Sequence, residues 1–183
     1  MQLPPGITEQ GLIQQCKNGD LKYLEMLYKH FYGYAMGVGL RYSNNRDDAL
    51  EVVNDAFIKA FGEIKKHDAD KPFKPWLRRI VVNTAIDKYR KEKKHLHNVD
   101  LDAAEHIGGQ ALIIAQLNAN DILKLMDTLP QAHRLVFNLY EIDGYDHNEI
   151  AAMTGITASS SRVYLARAKE KLRMLIQNEI EHE

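Results

Sequence analysis

Cysteine, tryptophan and proline are scarce in this chain: one, one and five among 183 residues. A single thiol, Cys16, forbids an internal disulfide, so the fold must rest on its core, and such sparing use of cysteine fits a reducing compartment. Cys16 itself reads as a small apolar core residue. No apolar run approaches the ~18 residues that a membrane span needs. The N-terminal MQLPPGITEQ lacks the basic-then-apolar pattern of a secretion signal. A cytoplasmic protein without membrane insertion is therefore expected. Net charge is only −1 at pH 7, so any contact with nucleic acid must come from local patches rather than from the chain as a whole. Alternating strand patterns and internal repeats are missing. So are a glycine-rich phosphate loop, a nucleophile elbow and a carboxylate pair with a pocket. The eight histidines avoid metal-ligand spacings except for His95 and His97 in a loop, which read as ordinary surface. No enzymatic activity, cofactor or metal is expected.

What is present is helical. The stretch from Tyr145 to Leu172 organises the rest. Asp146 can cap a helix, and Glu149 three residues on completes a capping box. Ile150, Ala151 and Met153 give that helix an apolar side. At Thr154-Gly155-Ile156, Gly155 accepts the left-handed backbone of a sharp exit, and Thr157 caps a second helix. This is a helix-turn-helix pattern, whose second helix suits a DNA major groove. At ~100° per residue, Tyr164, Leu165, Ala168, Leu172 and Leu175 share one face of it. Ser159, Arg162, Val163, Ala166 and Arg167 share the other, where Arg suits guanine edges and Val a thymine methyl. Ala158 to Leu175 carries five Lys/Arg and one Glu, a net of +4. Ser161 falls inward, where an apolar residue is usual.

Upstream, Thr8 can cap a helix ending at Asn18-Gly19, and Asp20 caps the next, whose buried face is Leu24, Leu27, Tyr28, Phe31, Ala35 and Val38. Ser43-Asn44-Asn45 breaks it. A third helix, Arg46 to Lys66, has the stripe Leu50, Val53, Phe57, Phe61 and Ile64. Beside that stripe lie Val52, Ile58, Glu51, Asn54, Asp55 and Lys59, a mixture that suits a partner surface and equally an ordinary helix surface. The sequence HDADKPFKP at His67 to Pro75 reads as a loop. A fourth helix follows from Trp76 to about Lys91, with Arg79, Asn83, Asp87 and Arg90 in one polar stripe. Lys71 to Lys94 holds nine Lys/Arg against Asp87 and Glu92, a net of +7. A basic helix beside aromatics can hold a phosphate backbone and stack on exposed bases. Phe73 and Trp76 serve equally as core.

From Asn98 to Asp121 there are four acidic residues and no Lys or Arg. That change sets the expected boundaries: an N-terminal helical domain over 1–95, a flexible acidic linker over 96–118, and a C-terminal helix-turn-helix domain over 119–183. About 20 residues of linker span on the order of 25 Å. In the second domain, Asp121 to Thr128 is expected as a short helix, and Gln131 to Ile142 as another with Leu135, Val136, Leu139 and Tyr140 inward. The fold class is all-α: two small helical domains. Tethering two weak DNA sites makes the second contact effectively intramolecular.

The chain resembles the extracytoplasmic-function (ECF) group of sigma-70-type RNA polymerase sigma factors. The resemblance is carried by GDLKYLEMLYKHFY (Gly19 to Tyr32), DDALEVVNDAFIKAF (Asp47 to Phe61), FKPWLRRIVVNTAIDKYRKEKK (Phe73 to Lys94), LPQAHRLVFNLYEIDGYDHNEIAAMTGI (Leu129 to Ile156) and SRVYLARAKEKLR (Ser161 to Arg173). It implies binding to core RNA polymerase, recognition of −10 and −35 promoter elements, and promoter melting. By that resemblance, Asn54, Asp55, Ile58 and Lys59 dock on the clamp coiled coil of the largest polymerase subunit. His67, Asp68, Phe73, Arg79, Asn83, Asp87, Arg90 and Lys91 serve the −10 element, and Ser159, Arg162, Val163 and Arg167 the −35 element. Promoter DNA and an anti-sigma factor are the further partners implied. Two other readings compete. A stand-alone two-domain regulator would bind duplex DNA tightly without polymerase. A hydrolytic or metal enzyme would need a site that these residues do not form.

Overall fold

The computed structural model describes residues 6–68, 70–95 and 125–181. All regular structure among them is helical. Backbone contacts divide the chain into two compact units, residues 1–85 and 86–183. The division falls inside one continuous helix.

Helix α1, Glu9–Lys17, begins where Thr8 Oγ1 accepts from Gly11 N, and its end passes into Gly19 at φ +81°. α2, Leu21–Tyr42, is capped by the Asp20 side chain, which accepts from Lys22 N. α3, Arg46–Glu63, is capped by Asn45, which accepts from Asp48 N, and continues as a 3-10 turn, Ile64–Lys66. α4 runs Phe73–His95, three residues earlier than the loop prolines imply. Pro75 sits in its first turn, where a missing N–H leaves no hydrogen bond unmade. The core of this unit joins Leu12 and Ile13 of α1, Leu27 and Phe31 of α2, Val53 and Phe57 of α3, and Leu77 and Val81 of α4.

Of the stripe expected on α3, Val53, Phe57 and Ile64 are buried, but the buried face is wider and leaves Leu50 at its edge. Leu50 is 37% exposed, whereas Val52 is buried together with Ala49, Ala56 and Ala60. Those alanines let the helix backbones approach closely. A Cβ on Gly39 of α2 would lie 3.0 Å from Val53 Cγ2 and 3.3 Å from the Ala49 carbonyl, so any larger residue there would press on α3.

In the second unit, residues 125–127 are helical, and Thr128 Oγ1 donates to the Leu125 carbonyl at 2.7 Å. The remainder of the expected Asp121 to Thr128 helix, and the linker at 96–118, lie outside the described residues. α5 is Gln131–Phe137, and it continues into a π-turn, Asn138–Ile142. There Asp143 N donates five residues back to the Asn138 carbonyl at 3.0 Å, and the Asn138 side-chain amide donates to the Arg134 carbonyl at 2.9 Å. Tyr140, expected inward, is exposed, because the wider π-turn shifts the residues after it off the α-helical register. α6, His147–Thr154, carries the full capping box of Asp146 and Glu149 and ends at Gly155, φ +75°. α7, Ala158–Glu181, starts where Ser160 N donates to Thr157 Oγ1 at 3.0 Å. Leu135, Leu139, Ile150, Leu165, Ala168 and Leu172 form the core.

Candidate nucleic-acid interface

On α4 the two faces separate cleanly. Leu77, Val81 and Ala85 are buried, while Arg79, Asn83, Asp87, Arg90 and Lys91 are exposed. With ~3.6 residues per turn, the 79, 83, 87, 90 spacing lines one outer ridge. Bases or phosphates can be reached from it without disturbing the core.

The loop before α4 is different. Asp68 is exposed, but His67 is 3% exposed and Phe73 fully buried, so neither offers the open face expected of a DNA contact. Phe73 packs on Phe31 at 4.8 Å between ring centroids. The His67 ring meets Phe73 at 5.5 Å and Trp76 at 4.9 Å, edge to face. These rings form the floor of the loop. α1 braces its rim: Glu9 Oε1 accepts from Phe73 N at 3.2 Å, and Gln10 Nε2 donates to Asp70 Oδ1 at 2.7 Å. The sequence left the choice between core and contact open for Phe73, and it carried no sign that α1 would reach the loop.

Neither ring nitrogen of His67 meets a partner at hydrogen-bonding geometry. Burial, and secondly the Lys17 charge, push its pKa below the ordinary value, against the opposing pull of the Pro72 carbonyl, Asp68 and Glu9. The unfolded chain therefore binds this proton more readily. Stability is fully present above about pH 6.5 and is lost as pH falls from there through the folded pKa. Melts at roughly pH 7.5 and pH 5.5 are expected to show the N-terminal unit less stable in acid, with His67→Phe flattening the difference. An equal slope in that variant would remove His67 as the cause.

On α3, Asn54, Asp55, Ile58 and Lys59 all stand in solvent, and Ile58 is 69% exposed. Tyr28 Oη donates to Asn54 Oδ1 at 3.0 Å, which holds the amide in place.

On α7, Ser159 and Arg162 are exposed, and Val163 and Arg167 half-buried. Ser161 is fully buried, as its place on the helix implied. Its partner, which the sequence did not supply, is His147: Nδ1 lies 2.9 Å from Ser161 Oγ. Arg134 was also missed. It is 2% exposed, and its Nη1 is 3.0 Å from Asp127 Oδ1. Nothing local in the sequence distinguishes it from a surface arginine. Cys16 is buried, and burial with the nearby Asp20 charge pushes its thiol up to about 11, which makes it inert. Among the described residues no group of three His, Cys, Asp or Glu is placed to hold a metal. Among them, too, no helix is long and apolar enough to cross a membrane.

Residues 27–95 match the family Sigma-70 region 2, and residues 119–172 match Sigma-70, region 4. An ECF RNA polymerase sigma-E factor of Escherichia coli (strain K12) is 28% identical over 178 residues, covering 91% of this chain and 93% of that one. The chain belongs to the ECF group of sigma-70 factors. This sigma factor is also 28% identical over 183 residues to the ECF sigma-E factor of Haemophilus influenzae, covering 93% and 96% of the two chains. A solved sigma factor in complex with the anti-sigma factor NepR, from Bartonella quintana, aligns at 20% identity and a TM-score of 0.49 over 86% of this chain and 98% of that one. As an ECF sigma factor, the protein functions in transcription initiation. The region 2 match takes in the ridge on α4 and the exposed face of α3. The region 4 match takes in the helix-turn-helix.

Proposed function

We propose that this sigma factor divides promoter recognition and polymerase binding among three surfaces. Asn54, Asp55, Ile58 and Lys59 dock on the clamp coiled coil of core RNA polymerase. The α4 ridge of Arg79, Asn83, Asp87, Arg90 and Lys91, with Asp68 at the loop, serves the −10 element and melting. Ser159 and Arg162, with Val163 and Arg167, serve the −35 element. His67 and Phe73 shape the −10 loop from beneath. The observation that carries the reading is the ridge itself: five polar or charged side chains exposed on a helix whose opposite face is core. The protein acts in the cytoplasm, the compartment of bacterial transcription. Family membership also implies an anti-sigma factor as a partner.

The test is run-off transcription by core RNA polymerase, with and without the protein, on genomic fragments that include its own upstream region. Transcripts from defined starts only when it is present are expected. Tight sequence-specific duplex binding by the free protein, with no stimulation of polymerase, would replace this reading with a stand-alone regulator. Within the assay, Arg162→Ala is expected to cost about 1–3 kcal/mol at particular −35 bases. Lys91→Ala should instead weaken binding on every sequence and lower the salt slope by about one. Identical behaviour of the two variants would dissolve the split between base reading and phosphate contact.

A further inference from the structure

We propose that His147 and Ser161 form a positioning pair that sets how α7 presents its side chains to DNA, and so tunes base preference at the −35 element. This rests on the assignment of α7 as the −35 reader.

Ser161 lies in the first turns of α7, immediately before Arg162. Its hydroxyl is fully buried and meets His147 Nδ1 at 2.9 Å. A buried hydroxyl without a partner costs about 1–3 kcal/mol, so α7 cannot roll or slide freely against α6 while this bond is kept. His147 is in turn fixed. It is the first residue of α6, and its ring stacks on Tyr140 of the π-turn at 4.6 Å and 23°. Lys169 of α7 also approaches Tyr140, with Nζ 6.0 Å from the ring centroid. Lys169 also pairs with Glu141 at 2.6 Å. Positions 161 and 169 are about 12 Å apart along a helix rising 1.5 Å per residue. α7 is thus pinned twice, at Ser161 and at Lys169, to one cluster built from His147 and the π-turn.

The charge state of the ring suits this role. Burial, then Arg162, and more weakly Lys169, lower the His147 pKa, with only Asp146 opposing. The positive N-terminal ends of α6 and α7 also disfavour a second cation there. The imidazole is neutral near pH 7, and the bond to Ser161 joins two neutral groups. Geometry supplies the link to specificity. For a side-chain tip ~6 Å from the helix axis, a roll of ~10° moves it by ~1 Å. Hydrogen bonds to base edges tolerate only about 0.5 Å in length. Removing the pair would therefore re-aim Ser159 and Arg162 without touching either of them.

The experiment uses the full chain with core RNA polymerase. One promoter set carries every single substitution at the −35 element, and a second carries the same at the −10 element as an internal control. Ser161→Ala removes the hydroxyl. His147→Phe keeps the stack on Tyr140 and removes Nδ1. His147→Asn restores a polar atom near the Nδ1 position without the ring. Ser161→Ala and His147→Phe are expected to reorder the preferred −35 bases in the same way, by about threefold or more, and the double variant to add little to either. The −10 ranking should not change, and His147→Asn should lie closer to wild type than His147→Phe. A uniform loss across all −35 sequences, or an unchanged ranking in folded protein, overturns the proposal. Should Ser161→Ala fail to fold, His147→Phe decides the matter alone. A wild-type profile indifferent to every −35 substitution would instead remove the underlying −35 assignment, and the pair with it.

Discussion

Phe73→Ala is expected to unfold the N-terminal unit of the free protein, although the residue lies in the loop segment that sequence alone offers as a DNA contact. Its side chain is fully buried and touches three rings: Phe31 at 4.8 Å, Trp76 at 5.3 Å and His67 at 5.5 Å. Truncating such a phenylalanine costs about 3–5 kcal/mol, a large part of the roughly 5–15 kcal/mol that holds a domain together. The hole would also open directly beneath the start of α4, so the polar ridge loses its footing at the same time. Phe73→Leu keeps most of the volume, is expected to cost about 1 kcal/mol, and should retain promoter use. Urea melts followed by circular dichroism separate the cases. A Phe73→Ala protein that melts like wild type but fails at the −10 element would put the ring on a base and not in the core.

The second large effect is expected from Asp127→Ala in the C-terminal unit. Arg134 is 2% exposed, and its Nη1 lies 3.0 Å from the Asp127 carboxylate, whose own side chain is 58% exposed. Burial lowers the guanidinium pKa, and Asp127 works against that shift. Deleting the carboxylate takes a counter-charge away from a buried cation. Breaking a buried pair in this way costs about 3–5 kcal/mol when both groups are dry. Because Asp127 faces water, about 2 kcal/mol is the better figure here. Arg134→Met removes the charge and keeps the length, and it is expected to be milder than Asp127→Ala despite replacing the more deeply buried residue. Thermal melts that ranked the two in the opposite order would show that the arginine matters through its other contacts.

Four helix starts were legible in the sequence to the residue, although the start of α4 was not. Thr8, Asp20, Asp146 with Glu149, and Thr157 all cap as their side chains dictate, because a cap is a local bond between a short polar side chain and an amide two or three positions on. Gly155 is equally local. The polar ridge of α4 was legible because charge at helical spacing leaves only one face to bury. What the sequence did not reveal lies across elements. Ala49, Ala56 and Ala60 carry no strong apolar signal, yet all three are buried, and the stripe on α3 was drawn to include Leu50, which is exposed, and to leave out Val52, which is inside. The π-turn at Asn138–Ile142 breaks the 3.6-residue period on which Tyr140 was placed inward. His67 and Arg134 are polar residues whose burial depends on partners six or more positions away, and the partner of Ser161, itself expected inward, lies fourteen away; no periodicity reports a partner.

The bonds from α1 to the loop before α4 also tie distant parts of the chain together. Glu9 reaches Phe73 across 64 residues and Gln10 reaches Asp70 across 60, so this brace can exist only once the chain through Phe73 is present. Closing a loop of that length costs about 4 kcal/mol of chain entropy, which the two bonds alone do not repay. The burial of Leu12 and Ile13 in the core of the unit supplies the rest of what holds α1 in place. A chain that stops short of Phe73 therefore leaves Glu9 with no helix to cap.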